Sequence, residues 1–387
     1  MIEAQASVSC NIHASVPVAG IGFLQCLLFV AVAYRSNALS AIALLVCFGL
    51  ISVSWRRFVV GHAAEKRLLI LMAAVLTVTL QFAVWRSFTA IFHFWTVILT
   101  MGASFLVTRE MGTYSKASGL TLVIVQSAIL IYLTREGFTG FPLEDMLPDS
   151  SSNGITSYLI VLQVNYAVAR YLAARKLTLV TSLLTLVICI VGYGRGSLVA
   201  ASSILVVILF VYGFRGRPVR TLFVIVAMAA STLFVVRQYG MDIVSFIESN
   251  TKLGAGLLDQ SRQTIAAEYV HKIDSFTLFT GANYAGTVIE TDFSGNPHNS
   301  YIRAHHIFGL PYLLVSLLFP YLLIARVVPS LRQLFGLAML GIMLIRAATE
   351  PILFPTLLDF FFFSVCFLIG QGGANSAAYR TGLLSAR

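Results

Sequence analysis

Charge is what this chain has least of. Lysine and arginine together number 26, aspartate and glutamate 16, and charged residues are 11% of 387. A soluble domain carries about 25%. So few charges cannot coat a water-soluble protein of this size, which excludes a soluble enzyme. The 58% apolar content and a mean hydropathy of +0.86 exclude a disordered chain. There are five cysteines, Cys10, Cys26, Cys47, Cys189 and Cys366, with no Cys-x-x-Cys pair. That excludes a disulfide scaffold and leaves them as small buried hydrophobes. No lysine or arginine precedes the first apolar run, as a cleaved signal peptide would need, so that run reads as a retained span. No repeat of 20–50 residues is visible, which speaks against solenoids and repeat-built transporters. There is no Gly-x-Ser-x-Gly elbow with a histidine at suitable depth, and no cluster of carboxylates to hold a metal.

Long apolar runs are what the chain does have. Taking about 17–25 mostly apolar residues per crossing, the sequence predicts an all-α, polytopic membrane protein of about 12 helices, in one domain over 1–387. The runs are Pro17–Tyr34, Ala38–Trp55, Leu68–Trp85, Phe88–Val107, Ala117–Leu133, Thr156–Tyr171, Leu177–Tyr193, Ser197–Tyr212, Thr221–Val236, Tyr301–Ala325, Leu334–Arg346 and Pro351–Gly370. With the N-terminus placed in the cytoplasm, the inner side receives sixteen of the 26 basic residues and only three acids. This is a positive-inside pattern, with both termini cytoplasmic. The net charge of +10 is then topology, not a sign of nucleic-acid binding. One outer loop, 237–299, is large. Within it Leu258–Phe276 has helical apolar spacing, which predicts an amphipathic helix lying on the membrane surface.

Candidate chemistry gathers on the outer side. Pro297 suits a helix start and predicts His298, Asn299 and Ser300 in the first turn of the tenth span. The N-terminus of that helix suits a phosphate, and an imidazole there is a base available near neutral pH. The alternative is a polar cap built from Asn299 and Ser300. Arg195, in the turn Gly192-Tyr-Gly-Arg-Gly-Ser197, is either a diphosphate ligand or a snorkelling interfacial arginine. The glycines of that turn are no dinucleotide fingerprint, because no strand precedes them. Arg262 is a second candidate anion ligand, with an Asp259 salt bridge as the plainer reading. Arg303, His305 and His306 lie deeper, where polar residues face an interior or a wet cavity. Glu350 lies near Arg346, and the two either pair or line one cavity. Asp359 sits inside the last run with no partner that can be named.

His298-Asn299, nine residues, Gly309, Leu310-Pro311 and Tyr312 resemble the signature of the O-antigen ligase and Wzy-type polymerase superfamily of bacterial envelope glycosyltransferases. Arg195-Gly196 is similar to that family's arginine turn between mid-chain spans. Ser261-Arg262 is similar to its second arginine, early in the large periplasmic loop, and Phe279–Gly286 to its glycine-rich stretch before the histidine. The aromatic residue that often follows the second arginine is replaced here by Ile265 or Ala266. The resemblance implies a GT-C-like fold in the bacterial inner membrane with the site facing the periplasm. It implies inverting, metal-independent transfer of a glycan from an undecaprenyl-pyrophosphate donor to a sugar hydroxyl, with no cofactor. His298 would then be the catalytic base, Arg195, Arg262 and Arg303 would bind the diphosphate, and Asn299 and Glu350 would support them. The acceptor would be another lipid-linked repeat unit, for a polymerase of O-antigen or exopolysaccharide, or lipid A-core, for a ligase. A chain-length regulator protein would be a possible partner of the polymerase. The polymerase is preferred because that group is the more diverse in sequence. The competing class is a polysaccharide transporter or flippase.

Overall fold

The computed structural model describes residues 16–55, 63–136, 143–147, 152–192, 194–214, 237–238, 260–324 and 330–371. Their regular structure is entirely helical, with no strand among the described residues. In chain order the helices are α1 (Val18–Ala33), α2 (Asn37–Val53), α3 (Ala63–Arg86), α4 (Thr89–Val107), α5 (Met111–Glu136), α6 (Ser152–Ala174), α7 (Leu179–Val191) and α8 (Arg195–Phe214). There follow α9 (Gln260–His271), α10 (Thr277–Thr280), α11 (Val288–Thr291), α12 (Ser300–Ile324), α13 (Leu331–Ala347) and α14 (Asp359–Gln371).

Five of these, α3, α4, α5, α8 and α12, are long and apolar enough to cross a membrane, and α1, α2, α7 and α14 are shorter apolar helices. The chain is therefore an all-helical protein of membrane-embedded type. Eleven of the twelve apolar runs coincide at least in part with described helices; the ninth, Thr221–Val236, lies outside the described residues. The breaks between helices follow local chemistry. Arg35 turns the chain with φ 49°, and the Ser36 hydroxyl accepts the Leu39 N–H at 3.3 Å to start α2. Ser330 and Gln333 form a capping box at the start of α13.

Helix α6 is the axis of the bundle. Ile155, Leu159, Val161, Val164, Val168 and Tyr171 point in different directions around it and are all buried, the mark of a helix surrounded by others. It packs on α1, α5, α7, α8 and α13. Apolar burial cannot select helix partners inside lipid, so buried polar pairs do part of that work. Gln163 donates to Ser182 on α7 at 2.8 Å, and Tyr114 on α5 donates to Asn165 at 2.8 Å.

Two expectations need correction. The twelfth run does not begin a helix at Pro351. Residues 351–358 form a buried irregular segment, and the helix starts at Asp359. Pro351 and Pro355 each lack an N–H, and the Asp359 carboxylate accepts two of those that remain, from Phe354 at 2.9 Å and Thr356 at 3.0 Å. These amides are the partners that the sequence could not name. The helix expected over Leu258–Phe276 is α9, ending at His271, and its apolar residues do not form a membrane-facing stripe. Ile265 and Tyr269 are buried against Ala282 and Ile289 of the same loop.

Candidate functional site

At one end of the bundle the starts of α6, α8 and α12 meet the end of α13. Here α12 begins one to two residues later than the sequence predicts. Asn299 is its cap: the side-chain oxygen accepts from Tyr301 N–H at 2.8 Å and Ile302 N–H at 3.1 Å. His298 lies outside the helix, in the left-handed region at φ 47°, with its own N–H donated to Asn296 Oδ1 at 3.0 Å. The ring Nδ1 faces Glu350 Oε2 at 3.9 Å, too far for a hydrogen bond and close enough for electrostatic coupling. The ring also stands edge-on to Phe293, centroids 5.3 Å apart.

Glu350 is where the site converges. Its side chain is 8% exposed. Arg262, on α9, reaches its Oε1 at 3.3 Å, and Arg346, on the last turn of α13, reaches the same oxygen at 3.6 Å. Burial pushes this carboxyl up, and the facing His298 imidazole with the Arg346 and Arg262 guanidiniums more than offsets it. The carboxyl is held below its ordinary range. Ser300 locks the turn in place: its hydroxyl donates to the Glu350 carbonyl at 2.7 Å and accepts the Leu353 N–H at 3.1 Å. Two guanidiniums thus share one carboxylate, so this trio keeps a net positive charge beside the imidazole. Such a cluster attracts an anion and can hold a hydroxyl against a base.

Arg346, read in the sequence as a neighbour of Glu350 and not as a candidate ligand, pairs with it and does more. It is 2% exposed. Its guanidinium donates to Ser197 Oγ at 3.2 Å, Ser157 Oγ at 2.6 Å, the Asn153 carbonyl at 3.5 Å and the Thr349 hydroxyl. It therefore ties the starts of α6 and α8 to Glu350. The Arg346-x-x-x-Glu350 spacing, one helical turn, is what made their pairing legible; the contacts to α6 and α8 had no local signal.

The remaining expected residues fall in different places. The backbone of Arg195 opens α8 beside this cluster, while its side chain lies outside the described residues. Gly196 explains the approach: a Cβ there would come within 2.8 Å of Arg346 Nη1. Arg262 is paired with Glu350, and Asp259, the partner expected from sequence, is outside the described residues. Arg303 does not join the carboxylate; its Nη1 donates to the Pro351 carbonyl at 3.4 Å, one element deeper. His305 and His306 are structural. His305 takes the Tyr269 hydroxyl on Nδ1 at 2.8 Å and donates from Nε2 to the Leu278 carbonyl at 2.9 Å. His306 donates to the Ala282 carbonyl at 2.6 Å and stacks on Tyr284 at 3.7 Å. Among the described residues no group of three or more His, Cys, Asp or Glu side chains could hold a metal ion. No protein-family model matches this chain, and no curated protein matches it significantly in sequence.

Proposed function

We propose that the protein is a glycosyltransferase that moves a glycan from an undecaprenyl-pyrophosphate donor to a sugar hydroxyl, acting as the repeat-unit polymerase of an O-antigen or exopolysaccharide. One observation carries this reading. His298 and Arg262, far apart in sequence from Glu350, both lie within 3.9 Å of its carboxylate at one end of an apolar helix bundle. The chemistry of lipid-linked transfer asks for what such a cluster supplies. The leaving diphosphate needs positive charge, which Arg262, Arg346 and Arg195 offer. It leaves readily as an anion, so no protein acid is required. The acceptor hydroxyl loses its proton to His298 as it attacks the anomeric carbon from the face opposite the diphosphate, giving inversion. Glu350 holds Arg262 and faces the imidazole. Arg303 lies deeper and would meet the donor only where the lipid end enters.

The same reading sets twelve spans with a GT-C-like arrangement in a bacterial inner membrane, both termini in the cytoplasm and the site on the periplasmic face. It is supported by the contacts that bring Arg86 to Thr280 and Gly281, and Arg262 and His298 to Glu350. A chain-length regulator is the expected protein partner. The decisive experiment supplies purified protein with lipid-linked repeat units alone. A ladder of longer lipid-linked glycans marks the polymerase. Transfer that appears only on adding lipid A-core marks the ligase, the second reading carried by the same motif. Movement of lipid-linked glycan across a bilayer without any new glycosidic bond would replace both readings with a transporter.

A further inference from the structure

The stretch Phe276–Ala282 runs alongside α12 well below the start of that helix. Leu278 and Ala282 meet His305 and His306, and the Phe279 carbonyl lies against Gly309. Those contacts are five to nine residues into α12, about 8–13 Å from its first residue at 1.5 Å per residue. Since α12 is long and apolar enough to cross a membrane, that depth exceeds the headgroup layer, about 5–8 Å per leaflet. Polar backbone at such depth survives only when every group is satisfied within the protein.

Here the N–H and C=O groups are satisfied almost one by one. Asp274 takes the N–H groups of Phe276, Thr277 and Leu278, and the next three N–H groups close turns within the segment. The carbonyls of Thr280 and Gly281 accept from Arg86, that of Leu278 from His305 and that of Ala282 from His306. Close approach requires two glycines in left-handed backbone, Gly281 at φ 92° and Gly309 at φ 73°. A Cβ on either would overlap a carbonyl oxygen of the other strand of the contact. With the backbone turned inward, the aromatic side chains turn out: Phe276 is 66% and Phe279 56% exposed. Phe276 stands edge-on to Phe82 of α3, centroids 6.0 Å apart, and Phe82 with Trp85 is exposed on that apolar helix. The outward aromatics are thus continuous with the lipid-facing side of α3.

We propose that Phe276–Ala282 is a re-entrant segment that inserts Phe276 and Phe279 into the acyl region of the leaflet at the His298 end of the bundle. Its occupant is bulk phospholipid. The inference rests on membrane embedding and is independent of the glycosyl-transfer reading. The test replaces Trp55, Trp85 and Trp95, all exposed, with phenylalanine, then introduces Phe279→Trp or, separately, Phe276→Trp. Each full-length variant goes into nanodiscs of dibrominated phosphatidylcholine, with Lys272→Trp as the aqueous control. The expected result is loss of emission at positions 276 and 279 to bromolipid and insensitivity to iodide, with the reverse at 272. Iodide quenching without bromolipid quenching at 276 and 279 would overturn the proposal. So would emission insensitive to both quenchers, which would mean that a second copy of the chain covers the segment.

Discussion

Replacing Glu350 with glutamine tests the centre of the site most directly. The change keeps the shape and removes the charge. Arg346, 2% exposed, would keep its neutral acceptors Ser197, Ser157, Thr349 and the Asn153 carbonyl but lose its anion. Breaking a buried pair by removing one partner costs about 3–5 kcal/mol. The retained oxygens place this case near the lower end, about 3 kcal/mol. Arg262 is partly exposed and screened, and adds at most about 1 kcal/mol. Arg346→Met should cost a similar amount, because it leaves the Glu350 carboxylate buried without its buried cation, facing only the partly exposed Arg262 and His298. The double variant Arg346→Met, Glu350→Gln removes both charges. It should therefore cost about as much as either single change, a coupling of about 3 kcal/mol against additivity. Unfolding of the purified protein in detergent, followed for all four forms, measures this cycle. Single effects that add to within about 0.5 kcal/mol would refute the pairing as the force that holds the turn.

Other outcomes follow from the same geometry. His298→Ala should lower glycan transfer by about 10²–10⁴-fold, and Arg262→Ala and Arg195→Ala should also lower it. Membrane insertion should stay normal in all three, as judged by yield and by product ladders. Gly196→Ala should cost about 1–3 kcal/mol, since its Cβ would press on Arg346 Nη1; a melting midpoint equal to the parent's would count against it. Asn299→Ala removes the cap of α12 and should cost about 1 kcal/mol, with Asn299→Ser recovering much of it in the same melting assay. Because the folded Glu350 carboxyl lies below its ordinary value of 4.5, its contribution is present above that value. It is lost as pH falls through the lower folded value. The melting midpoint of the parent should drop on acidification below pH 4.5, and Glu350→Gln should flatten that limb.

The helices were legible because each is an uninterrupted apolar run bounded by charge or by Gly and Pro. The α3–α4 turn at Arg86–Ser87 and the α1–α2 turn at Tyr34–Arg35 fall where the sequence puts them. The start of α14 was missed by counting apolar residues and not donors. Ile352, Leu353 and Leu357 are as apolar as any span, and Pro351 with Pro355 decides that they form no helix. In the site, residue types could be read, and of their partners only the Arg346–Glu350 pair, one helical turn apart. Arg262 had Asp259, three residues away, as its nearest acid in sequence, and the structure gives it Glu350, 88 residues away. Local spacing ranks neighbours along the chain, and tertiary packing chooses among neighbours in space. The amphipathic stripe of α9 misled for a similar reason: a hydrophobic face shows that something covers it and not what does.

The hub at Arg346 also bears on how the chain is made. Its acceptors Asn153, Ser157 and Ser197 precede it by some 150 residues or more. They are synthesised before α13, and the Ser157 hydroxyl can meanwhile bond to Ser197 and to the Asn153 carbonyl. The guanidinium arrives last, on a helix that is short and only moderately apolar, and Glu350 follows four residues behind it. Docking of α13 therefore depends on helices already made, so an early fault in α6 or α8 should surface as a late failure of the C-terminal third to pack.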